Sequence, residues 1–352
     1  MGLAPYGKPT QVDKVRQLIK LEPKGRWTWD NSFFGEIKVV YQNNQPVVDS
    51  FYTKKFEDLF GNPRKKDEPL SQYHKDLAHS VQRVTEEVIF HMADYLQKKT
   101  GSKNLCIAGG VAQNSVANGK IVANTGFENL YIPSAGHDAG ISMGSALFHY
   151  NHNLKKPRTA PIYSASTGSR FSNEEIEDFL KEKGVTYRRM EDKDLYAFLT
   201  EKLIEPAVVG WFQGRAEFGP RALGNRSIIA DPRNDKAKEL LNLKIKRRES
   251  FRPFAPSILT EYVPEYFEYT EAVPFMEKVY PIKPEKHAHI PAVTHVDGTG
   301  RLQSVDKEVS PRYYALIDVF RQKTGIPILL NTSFNENEPI VNSPEEAYAC
   351  FA

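Results

Sequence analysis

The chain has 352 residues, of which 40% are apolar, 11% aromatic and 26% charged. At roughly 150 residues per domain that length suits about two domains, and the composition is that of a folded protein rather than a disordered one. No run approaches the ~20 apolar residues of a membrane helix. The opening Met1-Gly-Leu-Ala-Pro-Tyr-Gly-Lys lacks the apolar core of a signal peptide. Two cysteines, Cys106 and Cys350, are too few for a disulfide framework or a cysteine-built zinc site. A reducing cytoplasm is the expected compartment.

Net charge is +3, but its distribution is uneven: Trp211 to Arg252 holds 11 Lys/Arg against 5 Asp/Glu, a local +6. These bases are interleaved with Gly, Pro and aromatic residues instead of lining one helix. The pattern suits a pocket for a multiply charged anion better than a nucleic-acid surface.

Taken in chain order, residues 1–10 read as a loop, followed by a poorly periodic stretch in which Trp27, Trp29, Phe33 and Phe34 pack. The clearest helix spans 71–100, with Leu77, Val81, Val84, Val88, Met92 and Leu96 at helical spacing and Gly101 as its stop. Its His74, His79 and His91 read as packing or surface residues. A strand starts at Asn104, a Gly109-Gly110 turn leads into a helix over about 111–124, a second strand starts at Asn129, and a helix runs from about Asp138 to Tyr150. This alternation predicts an α/β layer. The polar, Pro-bearing 151–163 segment is the expected domain boundary. Beyond it, Ser172 and Glu175 form a capping box, a helix covers about 194–205, and Ala207 to Phe212 reads as a buried strand. Pro311 opens another helix. A strand over 326–330 runs into Asn331-Thr-Ser-Phe-Asn, and a last helix after Ser343 is still running at Ala352.

Two turns, Gly109-Gly110 to Asn114 and Ser134-Ala-Gly-His-Asp138, each follow a strand and open a helix. Such turns bring backbone N–H groups to a phosphate and can face one cleft. Position alone leaves Asp138 equally a helix cap or a metal ligand, and reads His137 as structural. Further on, Gly214-Arg215 to Arg221 to Arg226-Ser227 places three arginines among glycines, a residue type able to hold phosphate in bidentate fashion. Lys246-Arg-Arg-Glu-Ser-Phe-Arg252-Pro, Asp297-Gly-Thr-Gly-Arg301 and Asn331-Thr-Ser333 add cations and neutral donors, with almost no general base. That inventory fits binding and polarising phosphates. No Ser-His-Asp pattern or reactive-cysteine context competes with it.

These motifs, in this order along essentially the whole chain, resemble the O-carbamoyltransferase family, which includes nodulation-factor and antibiotic-tailoring members. The resemblance implies an actin-like, sugar-kinase-like ATPase domain over 1–155 and a YrdC-like domain over 160–352, α/β in class with α+β character in the second. It implies that the YrdC-like site makes carbamoyl adenylate from ATP, supplied with Mg2+, and carbamoyl phosphate. The ATPase-like domain, helped by a metal, typically Fe2+, then passes the carbamoyl group to a hydroxyl of a small-molecule acceptor. Carried over residue by residue, Arg221, Lys246, Arg252 and Arg301 match the cations of the first site, and Asn331 and Ser333 its polar contacts. Arg215 and Arg226 lie in the same substrate-binding motif. Gly109, Gly110 and Asn114 match the nucleotide-binding turn, and Asp138 a metal ligand.

The family pattern departs from this chain at both ends. Its earlier segment, with the first half of the ATPase-like domain and a His-x-x-x-His metal pair, is not found here, and its last helix continues beyond 352. The implied object is a second half-domain joined to most of a YrdC-like domain, with a missing N-terminal segment or a homodimer as its expected partner. Two other readings stand beside the transferase: a nucleotide-binding subunit that needs a partner half-domain, and a tRNA threonylcarbamoyl-adenylate enzyme, motivated by the basic stretch. Neither a membrane nor nucleic acid is the expected partner.

Overall fold

The computed structural model describes residues 1–351 apart from 37–38, 43–44, 49–50, 66, 159 and 206. It divides into one unit of Met1–Leu105 with Lys120–Leu130 and another of Cys106–Gly119 with Tyr131 onward.

In the first unit the poorly periodic stretch holds an antiparallel hairpin of β1 (Ile19–Glu22) and β2 (Arg26–Trp29). Its strands are too short to show a period, and aromatic contact does the work instead: Trp27 meets Trp29 edge-on at 5.1 Å, and Trp29 meets Phe34 at 5.6 Å. Phe33 joins Val15, Leu18, Phe60 and Val84 in a small core. The expected long helix is α1 (Gln72–Thr100), started by Ser71 and ended by a left-handed Gly101. At 29 residues it is about 43 Å long, longer than the cluster it covers. Val84 and Val88 are therefore buried, while Val81, Met92 and Leu96 are exposed. The three histidines tie down chain, as packing residues do: His74 to Ser71, His79 to the Ala4 carbonyl, His91 to that of Glu22. Buried Glu86 is matched by Lys120 at 2.8 Å.

The expected strands appear as Asn104–Cys106 and Asn129–Tyr131, paired with each other. A 3-10 turn, Gly110–Gln113, leads into α2 (Ser115–Asn124), and α3 (Gly140–Phe148) continues as a π turn to Asn153. In the second unit Asn118 Nδ2 donates both to the Ala112 carbonyl at 2.8 Å and to that of Glu277 at 2.9 Å. Beside it, a Cβ on Gly119 would lie 2.1 Å from the Val279 carbonyl oxygen.

The larger part of this unit is built on a five-stranded mixed sheet. After α4 (Asn173–Glu182), with the expected Ser172–Glu175 capping box, and α5 (Asp192–Ile204) come β3 (Val209–Phe212), β4 (Arg226–Ala230), β5 (Ala255–Leu259) and β6 (Gln303–Val305). Then follow α6 (Pro311–Thr324), β7 (Ile328–Ser333) and α7 (Pro344–Phe351), the expected final helix, whose Ala352 lies outside the described residues. The order is β6-β5-β7-β4-β3, with β6 parallel to β5 and the other pairs antiparallel.

Both faces of the sheet are covered, and its inner strands β4 and β5 are buried at every position, Arg226, Ser227 and Ser257 included. Ile228, Ile258, Ile328 and Leu330 enter one core with Phe254 and Tyr280. Ile229, Leu259 and Leu329 enter the other with Leu203 of α5 and Leu316 and Phe320 of α6. β3 lies at the sheet edge and is only partly buried, less than its apolar sequence suggests.

Gly224, which precedes β4, has φ +108°, and a Cβ there would sit 2.2 Å from the Tyr313 ring. Gly224→Ala is expected to cost roughly 2 kcal/mol or more through overpacking and left-handed strain, read as a lower urea midpoint with an unchanged slope.

Candidate functional site

The antiparallel pairing of β4 and β7 brings Arg226, at the start of one, beside Ser333, at the end of the other. The cationic motifs gather at this end of the sheet. Arg247 has φ +40° and turns outward to Glu336 at 3.1 Å, separating its neighbours Lys246 and Arg248 from it. Lys246 is 2% exposed. Its Nζ donates to the Ser333 carbonyl at 2.5 Å, the Asn335 carbonyl at 2.6 Å and Asn335 Oδ1 at 2.7 Å. Ser333 Oγ also donates to Asn335 Oδ1 at 2.7 Å. Arg248 Nε donates to Asn242 Oδ1 at 2.8 Å and its guanidinium lies over the Phe254 ring. Asn242, fully buried, holds the loop through the Ser250 and Arg252 carbonyls.

Electrostatics show how close these charges are. Burial, then Arg221 and Arg248, push Arg301 down to about 9. Burial and then Arg252 push Arg248 down to about 10, and burial and then Arg248 push Lys246 down to about 8. Burial also lowers Arg221. The arginines remain cations at neutral pH; the shifts measure the strain of holding like charges together out of water. Arg221 and Arg301 make no hydrogen bond or ion pair with any described residue, and Arg301 Nε is shut off from solvent. Arg301 Nε is therefore a buried donor that lacks an acceptor, and an oxyanion is one group able to serve it. A cleft of about 390 Å³ opens at Arg221, lined also by Glu217, Arg226, Asn335 and Asn342.

The other expected residues divide by environment. Asn331 is 1% exposed and donates to the Ala222 carbonyl and to Gln303 Oε1, leaving Oδ1 without a partner. Arg226 is committed to the scaffold: it donates to the carbonyls of Gln213, Gly214, Asn225 and Ser169, and stacks on Phe212. Buried Glu217 accepts from the amides of Leu223 and Asn225, closing the same loop, and burial raises its carboxyl. Arg215 is exposed and bonds the Gly168 carbonyl. Arg252 is half-exposed and paired with Glu249 at 2.9 Å, at the rim of the cluster. Arg248, Asn335 and His295 were not singled out from sequence. The first two had a signal: alternate positions that share a side with Lys246 and Ser333.

The Gly turn is a separate feature. Gly109 has φ +109° and its amide donates to the Gly136 carbonyl at 2.5 Å. Nothing lies within 4 Å of a Cβ placed on Gly109 or Gly110, so their backbone faces open space. Asn114 Oδ1 accepts from the Ala117 amide at 3.1 Å and caps α2. Asp138 is exposed, and among the described residues no three His, Cys, Asp or Glu side chains gather to hold a metal. One exposed carboxylate does not fit an iron centre.

Comparison with known proteins places the chain in a family. Residues 1–147 match the family model described as Carbamoyltransferase N-terminus, and residues 200–352 match Carbamoyltransferase C-terminus. The chain belongs to the carbamoyltransferase family. It is 43% identical to an uncharacterized protein of Synechocystis, 39% to nodulation protein NolNO of Sinorhizobium fredii and 37% to nodulation protein NolO of Bradyrhizobium diazoefficiens. Each match covers 100% of this chain and 60%, 50% and 62% of the relative, respectively, so the chain spans half to three-fifths of their length. No helix among the described residues is long and apolar enough to cross a membrane.

An unpartnered, buried cation destabilises a fold until an anion arrives. Arg301→Met is expected to leave the anion-free protein as stable as the parent or more so. Pyrophosphate should raise the parent's Tm, by about 2.7 kcal/mol in stability at a hundredfold excess over Kd, and leave Arg301→Met unmoved. Differential scanning fluorimetry reads both.

Proposed function

We propose that the chain carries the carbamoyl-adenylate-forming site of an O-carbamoyltransferase, with the sheet-based part of the second unit as its YrdC-like domain. The observation that carries this reading is the pair of unpartnered guanidiniums, Arg221 and Arg301, grouped with Arg248 and Lys246. Four cations at one sheet end match the load of two substrates rich in phosphate, MgATP and carbamoyl phosphate. Water cleaves carbamoyl phosphate to carbamate and phosphate; a carbamate oxygen then attacks the α-phosphorus of ATP and pyrophosphate leaves. The residues contribute position and charge, which is most of what phosphoryl chemistry asks of a protein. Burial strengthens those charges and keeps water from the hydrolysable product. The family's second step, attack of an acceptor hydroxyl with departure of AMP, belongs to the ATPase-like part, where the Gly109–Asn114 turn is the residue set offered.

A second reading is favoured by a different observation. Val81, Met92 and Leu96 of α1 are exposed, as are Ile141 and Phe148 of α3. Apolar surface of this kind suits a subunit that works joined to further polypeptide.

Pyrophosphate release from purified protein is expected to require both ATP and carbamoyl phosphate, and to fall at least a hundredfold, on the order of two unmade charged hydrogen bonds, in Arg221→Ala. Release driven by bicarbonate and threonine instead would overturn the reading. Lys246, its three donors spent on Ser333 and Asn335, attracts anions through its charge only while protonated, and burial holds its value down to about 8. The kcat/KM for carbamoyl phosphate should therefore decline as pH rises through about 8, and Lys246→Arg should shift that decline to higher pH.

A further inference from the structure

His295 stands beside the cationic cluster and plays no part in the chemistry above. It opens the turn that carries Arg301, and its main chain brackets that turn: its amide donates to the Thr299 carbonyl at 2.8 Å, and its carbonyl accepts from the Gly298 amide at 2.9 Å. The ring Nδ1 lies 3.1 Å from Thr299 Oγ1, and Thr299 Oγ1 donates to Asp297 Oδ1 at 2.7 Å. A hydroxyl has one proton. Because Thr299 gives its proton to Asp297, it accepts from His295, and the imidazole proton sits on Nδ1. Nε2 is then a bare lone pair, shut off from solvent and without a hydrogen-bond partner. Burial holds the ring neutral, down to about 4; Asp297 opposes this, Arg301 and Lys238 add to it, and the Phe254 carbonyl opposes it weakly.

A neutral acceptor is out of place beside Arg301 if phosphate is the whole ligand, since phosphate offers acceptors of its own. A carbamoyl group is different. Its amino group donates two hydrogen bonds, and arginines cannot receive them.

We propose that His295 is a specificity residue for the carbamoyl donor, its Nε2 accepting a hydrogen bond from the carbamoyl amino group while the Asp297–Thr299 chain fixes the tautomer. The proposal rests on the adenylation reading above. Acetyl phosphate, with a methyl in place of the amino group, leaves Nε2 unsatisfied and is discriminated against for that reason.

The test measures pyrophosphate release with ATP and carbamoyl phosphate, and inhibition of that release by acetyl phosphate. His295→Leu should lower kcat/KM for carbamoyl phosphate at least about tenfold, leave KM for ATP within about twofold, and narrow the gap between carbamoyl and acetyl phosphate. His295→Gln keeps an acceptor and should recover part of the preference. Thr299→Val frees the tautomer and should narrow the gap as well. An unchanged carbamoyl-to-acetyl ratio in His295→Leu and Thr299→Val overturns the proposal. So does a 15N spectrum of the parent placing the proton on Nε2, since the ring is then structural. That spectrum needs no variant to fold. Absence of release from the parent is a separate result: it removes the adenylation reading, and this assignment with it.

Discussion

Like charges held together with few counter-charges are the constraint on which this structure turns. Arg221, Arg248, Arg301 and Lys246 converge at one end of a sheet, and no carboxylate is among the groups that act on Arg301. In water such a cluster spreads apart, because flexible side chains lower their repulsion by separating. Here each is held. Lys246 is fixed by oxygens of Ser333 and Asn335, Arg248 by Asn242, and Arg301 by a turn whose geometry is set by Asp297, Thr299 and His295. The fold stores an unfavourable arrangement that an incoming oxyanion relieves, which is electrostatic preorganisation in its plainest form.

The cost of that arrangement explains the density of polar support around it. Glu217 receives the Leu223 and Asn225 amides and so shapes the loop between Arg221 and Arg226. Arg226 is the inverse case, a cation whose terminal nitrogens are consumed by main-chain carbonyls. Gln303 links Ser257, Asn331 and the Leu223 carbonyl beneath the same loop. Partly satisfied buried networks destabilise a protein, and fully satisfied ones make it rigid. Among the described residues, the buried groups left without a partner include Arg301 Nε, His295 Nε2, Asn331 Oδ1 and Arg226 Nε.

Much of this was legible in the sequence, and the residues that were not share a reason. Local signals did well: the Ser172–Glu175 box, the Pro311 helix start and the strand into Asn331 are set by a few neighbouring residues. The motif cations were visible because Gly and Pro among arginines mark a shaped loop. Arg226 looked like its neighbours, and only packing on Phe212 and the carbonyls around it separates a scaffold arginine from a ligand-binding one. His295 was invisible because its meaning lies in which nitrogen carries the proton, a property of contacts with Thr299 and Asp297. The hairpin of β1 and β2 escaped because four-residue strands show too little period, and the exposed side of α1 because periodicity reports an apolar face but not whether anything covers it.

One seam has a consequence for how the polypeptide behaves as pieces. Asn118 spends both hydrogens of its amide on the Ala112 and Glu277 carbonyls, and Gly119 leaves the Val279 carbonyl no clearance for any side chain. Residues 106–119 are thus bonded into the same unit as the sheet, across the connector at 151–163. Chain continuity through that connector is not what joins them. Pieces divided there are therefore expected to act as complementary fragments and not as freestanding modules, and a swap of one half between relatives has to carry this fit with it.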